Sequence, residues 1–292
     1  MRDRRLTPAN DRVACHTLQG EIVAPRYVAG APRQVIAPLA DLCGSAAGVR
    51  YRQLLRGETV RLLESHEGWA FVQADKDGFV GYIAAQHLGT LDPPSHWVSA
   101  ASAHFYPAAD FKVRETGRLS LGALVSVDRV ETVFSHTPLG WIPSVHLSSL
   151  SSRPTDPVAV AEQLLGTPYL WGGNSRDGID CSGLVQLACW ICDIDCPADS
   201  DLQAASLGFE IDPATPLCRG DLLFWRGHVA WVVDAGRLLH ANAGHMATVY
   251  EPINVACGRI AAQGGGEVLL RRRLTRPSAC DMKDAKKKRH LS

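Results

Sequence analysis

The chain has 292 residues, 46% of them hydrophobic and 21% charged, which is longer than one typical domain and apolar enough to bury a sizeable core. Thirty basic side chains balance thirty acidic ones, and this formal net charge of zero argues against a nucleic-acid binder or a protein drawn to an acidic membrane surface. No apolar run is long enough to span a bilayer.

The first residues, MRDRRLTPAN, carry positive charge with no apolar stretch behind it. No secretory signal is therefore read, and the cytoplasm is the expected compartment. The nine cysteines are odd in number and not spaced like a disulfide framework, so they are expected to stay reduced. Residues 6–150 read as β-rich, with short alternating runs parted by turn signals. Strands are predicted over 60–63, 69–73 and 79–83, with turns at Glu67-Gly68 and at Asp77-Gly78, the latter a pair that suits tight hairpins. A weaker copy follows, with strand candidates at 121–130 and 132–135. Gly81-Tyr-Ile…His87-Leu88 and Gly140-Trp-Ile-Pro…His146-Leu147 look like equivalent endings. Two small barrels are expected, over 6–91 and 92–150. The polar stretch SSLSSRPT reads as a joint, and Asp156-Pro157 as the N-cap and first turn of a helix over 158–165. A third domain then covers 154–274. Residues 275–292, with the run Lys286-Lys-Lys-Arg289, read as a disordered tail.

In the third domain, glycines at 172, 173 and 178 precede Cys181, which opens an apolar helical pattern through Leu184, Val185, Ala188 and Ile191. A cysteine at a helix N-terminus feels the positive end of the dipole, which favours the thiolate, and nearby backbone N–H groups suit an oxyanion. Further on, 222–225 and 229–233 read as buried strands. A three-residue loop at 234–236, with Gly236 in the left-handed region, pairs Val233 with Arg237. His240 then shares a face with His228, and Asn242 lies opposite His228; a two-residue loop would put the two histidines on opposite faces. A lone cysteine opening a helix is most often a small buried hydrophobe. The combination with Gly-His on one strand and a second histidine on its hairpin mate points instead to a thiol, a base and an orienting residue. Those are Cys181, His228 and His240, with Asn242 a rival for the third place. The C-x2-C-x3-C of Cys189, Cys192 and Cys196 lacks a fourth ligand at a usual spacing, and no metal site is expected.

The stretches Tyr169-Leu-Trp-Gly-Gly, Asp180-Cys-Ser-Gly, Gly220-Asp, Gly227-His-Val and Leu239-His together resemble the NlpC-type cell-wall cysteine peptidases. The resemblance covers about 156–274, and the two preceding regions resemble bacterial SH3-like domains. It implies two all-β SH3-like barrels followed by an α+β papain-like domain that cleaves next to γ-D-glutamyl residues without a cofactor. The layout is similar to murein-peptide recycling dipeptidyl peptidases, which act on small peptides with a free N-terminal L-Ala; a monomer working without nucleic acid or membrane is expected. By the same resemblance Tyr169, Trp171, Asp180, Ser182, Asp199 and Ser200 line the substrate pocket, with Asp180 suited to a substrate amine and Tyr169 to the oxyanion. Ala198 stands where that family often has arginine. Glu58 is the candidate acid for the amine from the first barrel, and Phe79 and Tyr82 match aromatic positions at that end of the cleft. Rival readings are an endopeptidase or amidase of intact wall, and a non-catalytic wall binder.

Overall fold

The structure, a computed structural model, describes residues 2–274; the tail expected at 275–292 lies outside the described residues. Seven strands form one antiparallel sheet: β1 (Ala31–Val35), β2 (Leu39–Cys43), β3 (Arg50–Leu55), β4 (Thr59–His66), β5 (Trp69–Ala74), β6 (Val80–Ala84) and β7 (Leu88–Gly89). Their order is β3-β2-β6-β5-β4-β1-β7. The turn at Glu67-Gly68 is a two-residue hairpin with both φ positive, at 49° and 80°, which matches the strand twist. Asp77-Gly78 is not such a turn. Gln73 pairs with Val80 across a longer loop, and Asp77 points inward to Arg52.

The second β region does not form a closed barrel, and the edge strands β3 and β7 of the first sheet do not pair with each other either. Between His96 and Ser149 the chain makes three small sheets whose strands run two to four residues, too short for a continuous closed ladder. The paired endings do recur: Val80–Ala84 and Gly140–Pro143 each lead through a 3-10 turn into a short strand. Residues 2–28 stay out of the seven-stranded sheet. Val13 and Cys15 pack with Leu63, Phe71 and Val80 on its outer face.

The third region starts at α1 (Pro157–Glu162), where Asp156 caps the N–H groups of Val158 and Ala159 at 2.9 and 3.2 Å. α2 (Cys181–Ile191) and α3 (Ser200–Ser206) follow. A six-stranded antiparallel sheet is built from β8 (Phe209–Glu210), β9 (Asp221–Trp225), β10 (His228–Asp234), β11 (Arg237–Asn242), β12 (Ala247–Pro252) and β13 (Leu270–Arg273), in the order β8-β13-β9-β10-β11-β12. Strand alternation sends Leu222, Phe224, Val229 and Trp231 to the face covered by α1 and α2. Leu223, Ala230, Val232 and Leu238 go to the face covered by α4 (Ile253–Ala262). Trp97, Leu119 and Ile142 of the middle region share one core with Leu184, Leu187 and Ile191 of α2. The polar joint before Asp156 therefore connects regions that are packed together. Among the described residues no helix is long and apolar enough to cross a membrane.

Candidate active site

Cys181 is the first residue of α2. Asp180 caps that helix, with Oδ1 accepting from the Gly183 N–H at 2.7 Å and from the Ser182 hydroxyl at 3.0 Å. Its Oδ2 accepts from the Gly172 N–H at 2.8 Å, tying the glycine-rich loop to the helix start. Gly172 has φ +69°, and a Cβ there would sit 2.6 Å from the Tyr51 carbonyl oxygen, so only glycine lets the first sheet approach this loop. Burial is the main influence on the thiol and pushes it up to about 12, with the Asp180 charge adding to it; the N–H groups of Val229, Ser182 and Cys181 act in the opposite direction. Desolvation thus outweighs the helix-start effect that favours the thiolate.

The hairpin between β10 and β11 differs in detail from the expected loop. Asp234 pairs with Arg237 across a two-residue connection, and Gly236 is not in the left-handed region. A register shift between Val232 and Asp234 adds a bulge that restores the pairing of Trp231 with Leu239. His228 and His240 therefore share a face after all. His228 Nε2 lies 2.9 Å from His240 Nδ1. Asn242 turns away, its Oδ1 accepting from the backbone N–H of His245 at 2.9 Å.

Two residues that local pattern did not bring to notice complete the chain of contacts. His240 Nε2 lies 2.9 Å from Glu251 Oε2, and Glu251 also accepts from Arg259 Nη2 at 2.7 Å. The Arg259 guanidinium holds the Glu251 carboxyl below its ordinary range. An ionised Glu251 accepts a proton-bearing Nε2 from His240, which leaves His240 Nδ1 to accept from His228 Nε2–H. His228 Nδ1 is then the free base. Burial keeps both rings neutral, lowering His228 to about 3 and His240 to about 4. Alternation along β12 sets Glu251 on the face of Val249, which pairs with His240, and that is the signal by which Glu251 could have been found.

A cavity of about 460 Å³ opens beside the thiol. Trp171, Asp180, Ser182, Asp199 and Ser200 line it with Cys181, as the resemblance implied, and Phe79 joins from the first sheet. Arg5, Arg50, Tyr51 and Asp201 also line it, and none of these four was anticipated. Tyr51 meets Phe79 edge-on, at 6.2 Å between centroids. Tyr169 is half-buried outside the lining; burial first, then the charges of Cys181 and Asp180, raise its hydroxyl above the usual range.

Two expected positions lie elsewhere. Glu58 is buried and paired with Lys76 Nζ at 2.7 Å, and Lys76 sits 4.6 Å above the Trp190 ring. A carboxylate so enclosed needs its own cation, and it supplies no charge to the cavity. Tyr82 faces the opposite side of its strand, where it packs on Phe71 and its hydroxyl accepts from Asn10 Nδ2 at 3.1 Å. The alternation along β6 that brings Phe79 toward the cavity carries Tyr82 away from it. Cys189 and Cys196 are buried in the core shared with the middle region.

Comparison with known proteins agrees with this architecture. The sequence model of the NlpC/P60 family matches residues 166–256, and that of the bacterial dipeptidyl-peptidase SH3 domain matches residues 42–88. The chain is 28% identical over 213 residues to the γ-D-glutamyl-L-lysine dipeptidyl-peptidase of Bacillus subtilis (strain 168), covering 65% of this chain and 71% of that protein. It is 31% identical over 235 residues to the γ-D-glutamyl-L-lysine dipeptidyl-peptidase of Bacillus cereus (strain ATCC 10987 / NRS 248), covering 69% and 70%. Among solved structures, an NlpC/P60 family protein from Bacillus cereus ATCC 10987 aligns over 84% of this chain and 99% of that one, with a TM-score of 0.69 at 20% identity, a likeness of fold.

Proposed function

Because this chain belongs to the NlpC/P60 family of cysteine peptidases, we propose that it hydrolyses the γ-D-glutamyl–diamino acid bond of small peptidoglycan peptides with a free N-terminal L-Ala. In this reading Cys181 is the nucleophile, His228 the general base, and His240 with Glu251 the pair that holds the base in the right tautomer. The sulfur attacks the γ-carbonyl carbon of the D-glutamyl residue while His228 Nδ1 takes the thiol proton. The N–H groups of Cys181 and Ser182 are available to the developing oxyanion. The C–N bond breaks as His228 returns its proton to the departing amine. Water, deprotonated by the same ring, then attacks the thioester carbonyl; the C–S bond breaks, the ring returns the proton to the Cys181 sulfur, and L-Ala-D-Glu is released.

The observation that carries the reading is the cavity itself, which places Cys181 and the carboxylates of Asp199 and Asp201 on one lining. Its volume of about 460 Å³ suits a dipeptide-sized ligand. Asp199 takes over the role first considered for Glu58, that of acceptor for the L-Ala ammonium group. Asp180 has both oxygens engaged by three donors and serves the helix. The two relatives' names supply the bond type. Peptides with a free L-Ala amine have already left the sugar strand, and on this reading the enzyme works in the cytoplasm.

Purified protein is offered L-Ala-γ-D-Glu-diaminopimelate and the same peptide acetylated at its amine, with Cys181→Ala as control. The expected result is release of L-Ala-D-Glu from the free peptide alone, lost by roughly 10³-fold or more in the control. Equal cleavage of both peptides would favour an endopeptidase of the intact wall, and cleavage of neither would remove this substrate class.

A further inference from the structure

We propose that Arg5, which lies far outside the peptidase region, is a positioning and specificity residue that presents Asp199 to the substrate's ammonium group. The proposal rests on the amine-dependent reading given above and extends it. Asp199 stands immediately before α3 with extended backbone, φ −100° and ψ 150°, the place where an aspartate ordinarily accepts from the first helical N–H groups. It makes no such cap. Its Oδ2 instead accepts from Arg5 Nη1 at 2.6 Å, and no hydrogen bond to its Oδ1 is found among the described residues.

The Arg5 guanidinium is fully committed. Nε and Nη2 donate to Asp3 Oδ2 at 3.2 and 2.6 Å, while Nη1 and Nη2 donate to Asp201 at 2.9 and 2.7 Å. It has no donor left for a substrate carboxylate. Three carboxylates around one guanidinium leave a surplus of negative charge, with Asp199 and Asp201 on the cavity lining, and that end suits a cation. Asp3 accepts from the Arg5 backbone N–H at 2.9 Å as well, so the guanidinium is fixed from its own side before it meets Asp199. The residue next to Asp199 is Ala198, which packs into the core of the first sheet and offers no charge. Burial first, with the Asp201 charge adding to it, holds the Asp199 carboxyl above its ordinary range, and the hydrogen bond and charge of Arg5 are the main influence against that rise. Without Arg5 the carboxylate is free to swing back onto the open end of α3, away from the cavity.

The test measures kcat and KM for the free and the acetylated peptide in wild type, Arg5→Ala, Arg5→Lys and Asp199→Asn. We expect the free-over-acetylated ratio of kcat/KM to fall at least tenfold in Arg5→Ala, with the change in KM for the free peptide. Arg5→Lys, which keeps the charge and loses the fork, should fall between. Asp199→Asn should lose the ratio as Arg5→Ala does, and the double variant should add little to either. A ratio that survives in Arg5→Ala overturns the inference while leaving the substrate reading intact, and an equal loss on both peptides reduces Arg5 to a structural tie and overturns it too. A wild type that cleaves neither peptide, or both equally, overturns the amine-dependent reading and the role of Arg5 with it.

Discussion

At the scale of the residue, the tautomer of His228, the proposed base, is set by a relay of contacts and not by its own chemistry. Desolvation lowers His228, and which of its nitrogens carries the proton is set two hydrogen bonds away by Glu251. That carboxylate is held ionised by Arg259. Glu251→Gln keeps the shape but lets its amide donate to His240, which reverses the tautomers along the chain. We expect kcat to fall by roughly 10²-fold, the lower end of what a well-placed base contributes, with KM for the free peptide nearly unchanged. Steady-state rates with a melting control check this, and an unchanged kcat would remove Glu251 from the relay.

At the scale of the element, α2 depends on its first turn. Asp180 satisfies the Gly183 N–H and anchors the Gly172 loop, so it sets both the helix start and the position of Cys181. Asp180→Ala is expected to cost about 1–2 kcal/mol through the lost cap, seen as a lower Tm, together with a loss of kcat. Asp180→Asn retains a capping oxygen and should recover most of both. Should Asp180→Asn instead melt normally but lose the preference for the free amine, Asp180 binds substrate directly. The β10–β11 hairpin teaches a related lesson. The pairing expected from a three-residue loop holds at Trp231 and Leu239 but not at the turn, where Asp234 and not Val233 meets Arg237, because a bulge and a two-residue turn are equivalent in register to a three-residue loop.

At the scale of the whole molecule, the first sheet grips α2 through buried charge. Arg52 pairs with Asp77 and donates to Gln186 Oε1 at 3.1 Å, and Gln186 on α2 donates in turn to Asp77 Oδ2 at 2.7 Å. Arg52 also lies 5.6 Å from the centre of the Phe79 ring at the cavity wall. Removing one member strands the others away from water. Asp77→Ala is expected to destabilise by about 3–5 kcal/mol, measured by denaturant midpoint. A loss below about 1 kcal/mol would show that the network contributes little to holding the two parts together.

Local order along the chain was enough to set Cys181 at the start of its helix, the two histidines on one sheet face, the capped α1 and the repeated strand endings. These depend on spacing within one element or between adjacent strands, and side-chain periodicity in helices and strands carries that information directly. The family motifs added the lining residues Trp171, Ser182, Asp199 and Ser200. Other features depend on partners far apart in sequence. Glu58 is spent on Lys76, Arg5 reaches Asp199 across 194 positions, and Gln186 meets Asp77 across 109. A charged side chain reads the same in a sequence whether it faces solvent, a counter-ion or a substrate. Which of these it meets is set by desolvation and by the cation or carboxylate that folding brings beside it.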